Sequence, residues 1–266
     1  MKPIGELPAV VAQSLVGVAF DVDDTITHEG RLELPAYEAM WKLRAAGLRL
    51  MAVTGRPLGW ADVLARQWPI DVAIGENGAG WIHREAARFH EGYFASQAER
   101  DANQERLSAL LVEVKRKLPH IVLAQDQRAR RCDMAFDIGE SEQVPPEDVA
   151  KLCRLIESAG ALAAVSSVHA HAVFGDWNKA RGIVRAAQAV WGDDVEAFPA
   201  RWLFIGDSGN DAPAFSFFPV TAGVANVVEH LQRLPKAPAY VATLPRGRGF
   251  AEIASHILRL RQEPLA

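Results

Sequence analysis

Asp21, Asp23 and Asp24 crowd into the stretch Asp21-Val22-Asp23-Asp24, followed by Thr25. Carboxylates this close repel one another unless a cation neutralises them, and an all-oxygen set suits Mg²⁺ better than a softer metal. A second acidic cluster, Asp207-Ser208-Gly209-Asn210-Asp211, follows Gly206, and the two together could supply one ion. Between them lie Thr54-Gly55-Arg56 and Lys179. Taken singly, each has a plainer reading: an acidic turn, a β-branched strand residue, a solvated lysine. In this order an acid pair, a Thr, a Lys and a second acid pair make up a kit for phosphoryl transfer.

Elements must bring these distant residues together. The apolar run over residues 10–20 leads into Asp21 and reads as the first buried strand, with residues 15–20 as its body. A helix over 35–46, stopped by Gly47, a strand over 48–53, a helix over 58–67 and a strand over 72–75 follow, and Glu76-Asn77-Gly78 is a turn signal. From about Trp81 the alternation breaks. Residues 99–118 read as a long charged helix, 121–124, 134–138, 163–167 and 170–175 as strands, and 147–159 as a helix begun by Pro145-Pro146. Alternation then resumes with a helix over 178–190, a strand over 202–205, a helix over 210–217, a strand over 220–224 and a helix over 227–234. The pattern predicts an α/β protein: a Rossmann-like core with a mostly parallel sheet, residues 1–81 and 177–266, carrying an inserted α+β domain over 82–176. In such sheets ligands collect outside the carboxyl ends of the strands, where both acidic clusters fall.

As a set, these motifs resemble the haloacid dehalogenase (HAD) superfamily of Mg²⁺-dependent phosphatases, over most of the chain. The insertion after the third strand, with Glu76-Asn77-Gly78-Ala79 and Gly206-Asp207-Ser208-Gly209-Asn210-Asp211, is similar to the type-IIB cap branch of Cof-like and sucrose-phosphate-phosphatase-like enzymes. The resemblance implies Asp21 as nucleophile, forming an aspartyl-phosphate, and Asp23 as general acid and base. It implies Mg²⁺ held by Asp21, the carbonyl of Asp23 and Asp207, with Asp211 supporting the metal and Lys179. Thr54 and the backbone at Asp24 and Gly55 would donate to phosphoryl oxygens. Asp24 departs from the pattern, since many members carry Gly there. The implied function is hydrolysis of a small phosphorylated metabolite, a sugar phosphate first, with the cap setting specificity. A phosphomutase using the same intermediate, or a binder that senses phosphorylated metabolites, are the alternatives.

Weaker signals surround this set. Arg56 could lean on a substrate phosphate or pair with a carboxylate. Asn77, in a Gly-flanked turn, suits a left-handed conformation or a place facing the site and the cap hinge. Asn210 reads as a helix N-cap, with a hydrogen bond to phosphate or Asp21 implied by the resemblance. In Ser166-Ser167-Val168-His169-Ala170-His171 the two histidines fall on one strand face, and Ser167 and His169 are candidates for reading substrate hydroxyls. Arg128, Arg130 and Arg131 are either a solvated charge run or a basic wall for a second acidic group.

The remaining composition excludes other classes. A chain of 266 residues with 49% hydrophobic and 23% charged residues can bury a sizeable core. A net charge of −4 gives no global basic field for nucleic acid, and no apolar run is long enough to cross a membrane. Two cysteines, Cys132 and Cys153, make no CxxC pair, which fits a reducing cytoplasm rather than a disulfide framework. A monomer or small homo-oligomer is expected.

Overall fold

The computed structural model describes residues 1–141, 143–166 and 168–263. Its centre is a sheet of nine strands in the order Lys2–Pro3, Tyr240–Val241, Val220–Gly223, Trp202–Gly206, Gly17–Asp21, Arg49–Val53, Val72–Gly75, Gly80–Glu85 and Arg88–Tyr93. Pairing is parallel up to Val72–Gly75 and antiparallel for the last two strands. The central strands are apolar along most of their length because both faces are covered. Val18, Phe20, Leu50, Ala52, Leu203 and Ile205 pack under the helices Leu34–Ala45, Leu58–Gln67 and Arg246–Gln262. The alternate residues Ala19, Met51, Val53, Trp202 and Phe204 pack under Lys179–Trp191 and Ala212–Phe217.

A second unit has its own core. Leu162–Val165, His169–Val173 and Met134–Asp137 form an antiparallel sheet in that order. The helices Gln97–Lys117 and Pro146–Ser158 cover one face, burying Leu107, Leu110, Leu152 and Ile156 against Phe136, Ala170 and Ala172. Ser96 starts the long helix with a reciprocal capping pair to Glu99. Period-two alternation then leaves His169 and His171 on the opposite face.

The structure corrects several sequence expectations. The run over 10–20 is not one strand: Pro8 caps a helix, Ala9–Ser14, and the strand begins at Gly17. Apolarity alone does not separate a short helix from a strand. The hairpin Gly80–Glu85/Arg88–Tyr93, assigned mostly to the insertion, extends the central sheet instead, since Ile74 pairs with Trp81 and Ala73 with Ile82. Residues 121–124 form no strand and make only a bridge from Leu123 to Phe136. The stretch expected as a helix over 227–234 is a run of 3₁₀ turns, Ala225–Arg233. Beyond it lies an element with no counterpart in the sequence reading, the helix Arg246–Gln262, which buries Phe250, Ile253, Ala254, Ile257 and Leu260.

Candidate active site

Register brings the first acidic cluster to the second. Phe20 pairs with Ile205 and Asp21 with Val53, so Asp21, Thr54 and Asp207 leave neighbouring strand ends. Asp21, Asp207 and Asp211 are all buried, and each offers a carboxylate oxygen within 4.8 Å of the others. Thr25 joins two of them, donating toward Asp21 Oδ2 at 3.4 Å and Asp207 Oδ1 at 3.3 Å.

Lys179 stands at the first position of its helix, where the dipole disfavours a cation. Two carboxylates offset this: Nζ donates to Asp21 Oδ1 at 2.5 Å and to Asp211 Oδ1 at 2.6 Å. The helix can come this close because Gly78, at φ +112°, meets it without a side chain; a Cβ there would lie 2.4 Å from the Asn178 carbonyl. Asp211 Oδ2 accepts from the N–H groups of Asp207 and Ser208 at 2.9 and 3.1 Å. Gly206 makes room for it, since a Cβ would sit 2.4 Å from that oxygen. Both Asp211 oxygens are therefore engaged, and it orients Lys179 and the Asp207 loop. Asp21 and Asp207 keep free lone pairs.

Burial pushes the Asp21 carboxyl up to about 7, Lys179 opposing the shift and Asp211 and Asp23 adding to it. Burial likewise raises Asp207 well above the usual carboxylate range, with Asp21 and Asp211 adding repulsion. Burial opposes the Lys179 charge, but Asp21 and Asp211 outweigh it and hold the ammonium above its ordinary range. A buried, mutually repelling carboxylate set of this kind fits a divalent cation, and its donors are hard oxygens, as Mg²⁺ requires.

Asp23 lies in the same cleft on the solvent side. Arg56 donates to it through Nε and Nη2, each at 3.1 Å, and Thr54 Oγ1 approaches at 3.4 Å. Of the two readings of Arg56, the structure shows the carboxylate partner. Asp24 adopts φ 56°, a left-handed conformation that Gly takes most readily and Asp tolerates. Its side chain turns to Arg246 Nε at 3.0 Å, and its N–H donates to Thr27 Oγ1 at 3.1 Å. Asn226 ties the loop to Asp207, donating to Asp24 O at 3.0 Å and Asp207 Oδ2 at 3.1 Å.

The remaining candidates fall around this centre. Gly55 lines the cleft. Asn77 is left-handed at φ 54°, and its buried Oδ1 has no partner. It lines a second cavity beside Lys179. Asn210 is not the helix N-cap: Ser208 begins the turn and Asp211 precedes the helix, while Asn210 Oδ1 accepts from Lys179 Nζ at 3.2 Å. The cleft, about 300 Å³, is roofed by Val165, Ser166, Val168, His169 and His171 of the inserted unit. Ser167 lies outside the described residues. His169 Nε2 lies 2.9 Å from Glu140 Oε2, so one of its nitrogens already has a protein partner.

Within the arginine cluster Arg128 and Arg131 are exposed, as a solvated run would be, and Arg130 departs from both readings. Arg130 is buried, paired with Asp126 and Asp133, and donates to Gly55 O at 3.0 Å. Arg131 pairs with Glu91 and donates to Tyr93 Oη. The Arg131 backbone meets Glu76, which is fully buried and accepts N–H bonds from Leu58, Arg131, Cys132 and Asp133 at 3.0, 2.8, 2.6 and 2.9 Å. Sequence reading missed Thr25, Glu76, Asn226, Arg246 and the role of Asp133. Thr25 and Glu76 had local signals, the first as the residue that follows the acidic run and the second as a carboxylate closing the apolar strand Val72–Gly75.

No protein-family model matches the chain. Solved structures share its fold over nearly its full length. Protein 0175 of Thermoplasma acidophilum superposes with a TM-score of 0.72 at 21% identity, covering 92% of this chain and 99% of that one. The sucrose-phosphatase of Synechocystis, solved with sucrose and phosphate, gives 0.66 at 18% identity, covering 92% and 98%. A sugar phosphatase of HAD subclass IIB gives 0.61 at 18%, covering 90% and 98%. The chain thus has the fold of the HAD phosphatases, a Rossmann-like core with a cap.

Proposed function

We propose that this protein is a Mg²⁺-dependent phosphomonoester hydrolase acting on a small phosphorylated metabolite, a sugar phosphate, through an aspartyl-phosphate at Asp21. The observation that carries the reading is the buried Asp21 at a strand end, ion-paired to Lys179 and set beside Asp207 in a capped cleft that also holds Asp23. The likeness in fold to phosphatases supports it.

In the first half-reaction an Asp21 oxygen attacks phosphorus, the bond to the leaving oxygen breaks, and Asp23 gives that oxygen its proton. In the second, water attacks the aspartyl-phosphate, Asp23 takes a proton from the water, and the bond from phosphorus to Asp21 breaks to release phosphate. Splitting the hydrolysis in this way lets one acid/base serve both displacements. Asp21 and Asp207 would hold the metal, with the Asp23 carbonyl, and Asp211 would support them. Mg²⁺ supplies charge that lets a carboxylate approach a phosphate. Lys179 adds positive charge at Asp21, and Thr54, Gly55 and Asn210 would orient phosphoryl oxygens. The cap residues over the cleft exclude water and meet the leaving group.

The direct experiment is release of inorganic phosphate from a panel of sugar phosphates and an aryl phosphate, with Mg²⁺ and with chelator. Release that chelator stops, and that Asp21→Asn abolishes, is the expected result. Undiminished release by Asp21→Asn overturns the assigned nucleophile.

A further inference from the structure

His171 stands where two cavities meet. It lines both the cleft over Asp21 and the second cavity, about 220 Å³, that runs past Asn77, Trp177 and Lys179. Strand alternation aims it there, with Ala170 and Ala172 turned into the cap core.

Its ring is held from behind. His171 Nδ1 lies 2.9 Å from Asp133 Oδ2, and Arg130 Nη1 donates to the two Asp133 oxygens at 3.1 and 3.3 Å. Burial pushes the Asp133 carboxyl up, but Arg130 and His171 outweigh it and hold it at about 2. An ionised carboxylate only accepts, so Nδ1 carries the proton and Nε2 is left for a ligand. Among the described residues no side chain pairs with Nε2.

The same surroundings decide what that ligand is. Arg56 and Lys179 are the only Arg or Lys among the described residues lining either cavity. Arg56 is paired with Asp23 and Glu140, and Lys179 with Asp21 and Asp211. The Asp133 charge is matched by Arg130. Among the described residues no Arg or Lys of the cleft walls is left unpaired to receive a second anionic group, whereas a hydroxyl can either give a hydrogen bond to Nε2 or take one from it.

We propose that His171, positioned by Asp133 and Arg130, is a specificity-determining residue that hydrogen-bonds a hydroxyl of the leaving group, selecting phosphate esters of neutral polyhydroxy compounds over those bearing a second anionic group. This rests on the phosphatase reading above. Asp133 and Arg130 are positioning residues that act through the imidazole.

The test compares kcat/KM of wild type, His171→Leu, His171→Gln and Asp133→Asn on neutral sugar phosphates, their monodeoxy counterparts, a phosphoglycerate and an aryl phosphate. Turnover of the aryl phosphate by wild type reads the phosphatase itself, and its absence overturns that reading and this one with it. Given turnover, His171→Leu lowers kcat/KM on the preferred sugar phosphate about tenfold more than on the aryl phosphate, mainly through KM. His171→Gln recovers part of the loss, and Asp133→Asn shows the same selectivity change in smaller measure. One monodeoxy sugar phosphate is a poorer substrate for wild type, yet no poorer than its parent for His171→Leu. Equal losses on sugar and aryl phosphates, wild-type indifference to every deoxy analogue, or a preference for the phosphoglycerate overturns the assignment while leaving the phosphatase intact. The deoxy comparison and the phosphoglycerate need only wild type, so the proposal stays testable if a variant fails to fold.

Discussion

Arg56 grips Asp23 from the core and Glu140 from the cap at once, with Nε and Nη2 at 3.1 Å from the first and Nη1 at 3.1 Å from the second. Glu140 passes the contact on to His169 at 2.9 Å, so the proposed acid is connected to the roof of its own cleft. Arg56 is itself held flat, its guanidinium 4.9 Å from the Trp60 ring.

Arg56 therefore positions Asp23 more than it binds substrate. Removing a group that places a catalytic carboxylate costs on the order of a hundredfold when the misplacement reaches about an ångström. Arg56→Ala is expected to lower kcat on an alkyl phosphate by roughly that factor. The loss on an aryl phosphate, whose leaving group needs no proton, is smaller. Glu140→Gln keeps the Arg56 grip on Asp23 and costs less than either. Steady-state kinetics on the two substrate types checks this, and equal losses on both for Arg56→Ala count against a role through Asp23.

The carboxylate cluster predicts a metal-dependent stability. Without an ion, Asp21 and Asp207 repel each other in a buried site and burial drives both toward protonation. A divalent cation that binds the folded state alone adds about 2.7 kcal/mol at a hundred times its dissociation constant. Mg²⁺ is expected to raise the melting temperature of chelator-treated protein, and Asp207→Asn to abolish most of that rise. Calorimetry with and without Mg²⁺ reads both, and a full rise in Asp207→Asn removes that residue from the metal site.

How much of this the residues announced in advance depends on distance along the chain. Asp21, Asp207 and Asp211 close apolar strands or open turns, so their place at one end of a parallel sheet follows from local pattern and the rules of such sheets. Lys179 follows the same logic at a helix start. Asn226 does not: its amide meets Asp24 and Asp207 from a run of 3₁₀ turns with no marker of that role. Asp133 looks like an ordinary surface acid until the cap chain folds back over the core and buries it, and Glu76, although it closes an apolar strand, gives no sign of the four N–H groups it accepts. The C-terminal helix is a different kind of miss. Phe250, Ile253, Ala254, Ile257 and Leu260 keep helical spacing behind Pro245, so a signal was present, masked by the basic and glycine-bearing start Arg246-Gly247-Arg248-Gly249.

Asp133 gives the acid limb of stability a definite sign. Burial opposes its charge, but Arg130 and His171 hold its carboxyl at about 2, against 3.8 unperturbed. Between those values the unfolded chain binds the proton that the native protein refuses, so stability rises with pH across that window and is fully present above it. Asp133→Asn removes this contribution. The variant is expected to be less stable than wild type at neutral pH, with the gap narrowing as pH falls from about 4 toward 2. Urea unfolding across that range checks it, and a gap that widens in acid contradicts the pairing.

Glu76 is the joint between the two units, and its loss should be felt as stability before chemistry. Its carboxylate lies fully buried and takes four backbone N–H groups, one from Leu58 of the core and three from the cap loop that leads into the strand Met134–Asp137, at Arg131, Cys132 and Asp133. Removing one partner of a buried hydrogen bond leaves the other unsatisfied at about 1–3 kcal/mol, and here several donors lose their acceptor together. Glu76→Ala also opens a void beside Gly55 and the Arg130–Asp133 pair. A destabilisation of about 3 kcal/mol or more is expected by urea unfolding, with faster proteolysis in the cap loop 124–133 than in the core strands. Glu76→Gln retains one acceptor oxygen but turns an amide N–H₂ toward other donors, so it recovers little. Because Glu76 touches neither Asp21 nor Asp23, the folded fraction of either variant should still release phosphate. A variant as stable as wild type would show that the cap is held by its other contacts, chiefly the bond from Arg130 to the Gly55 carbonyl.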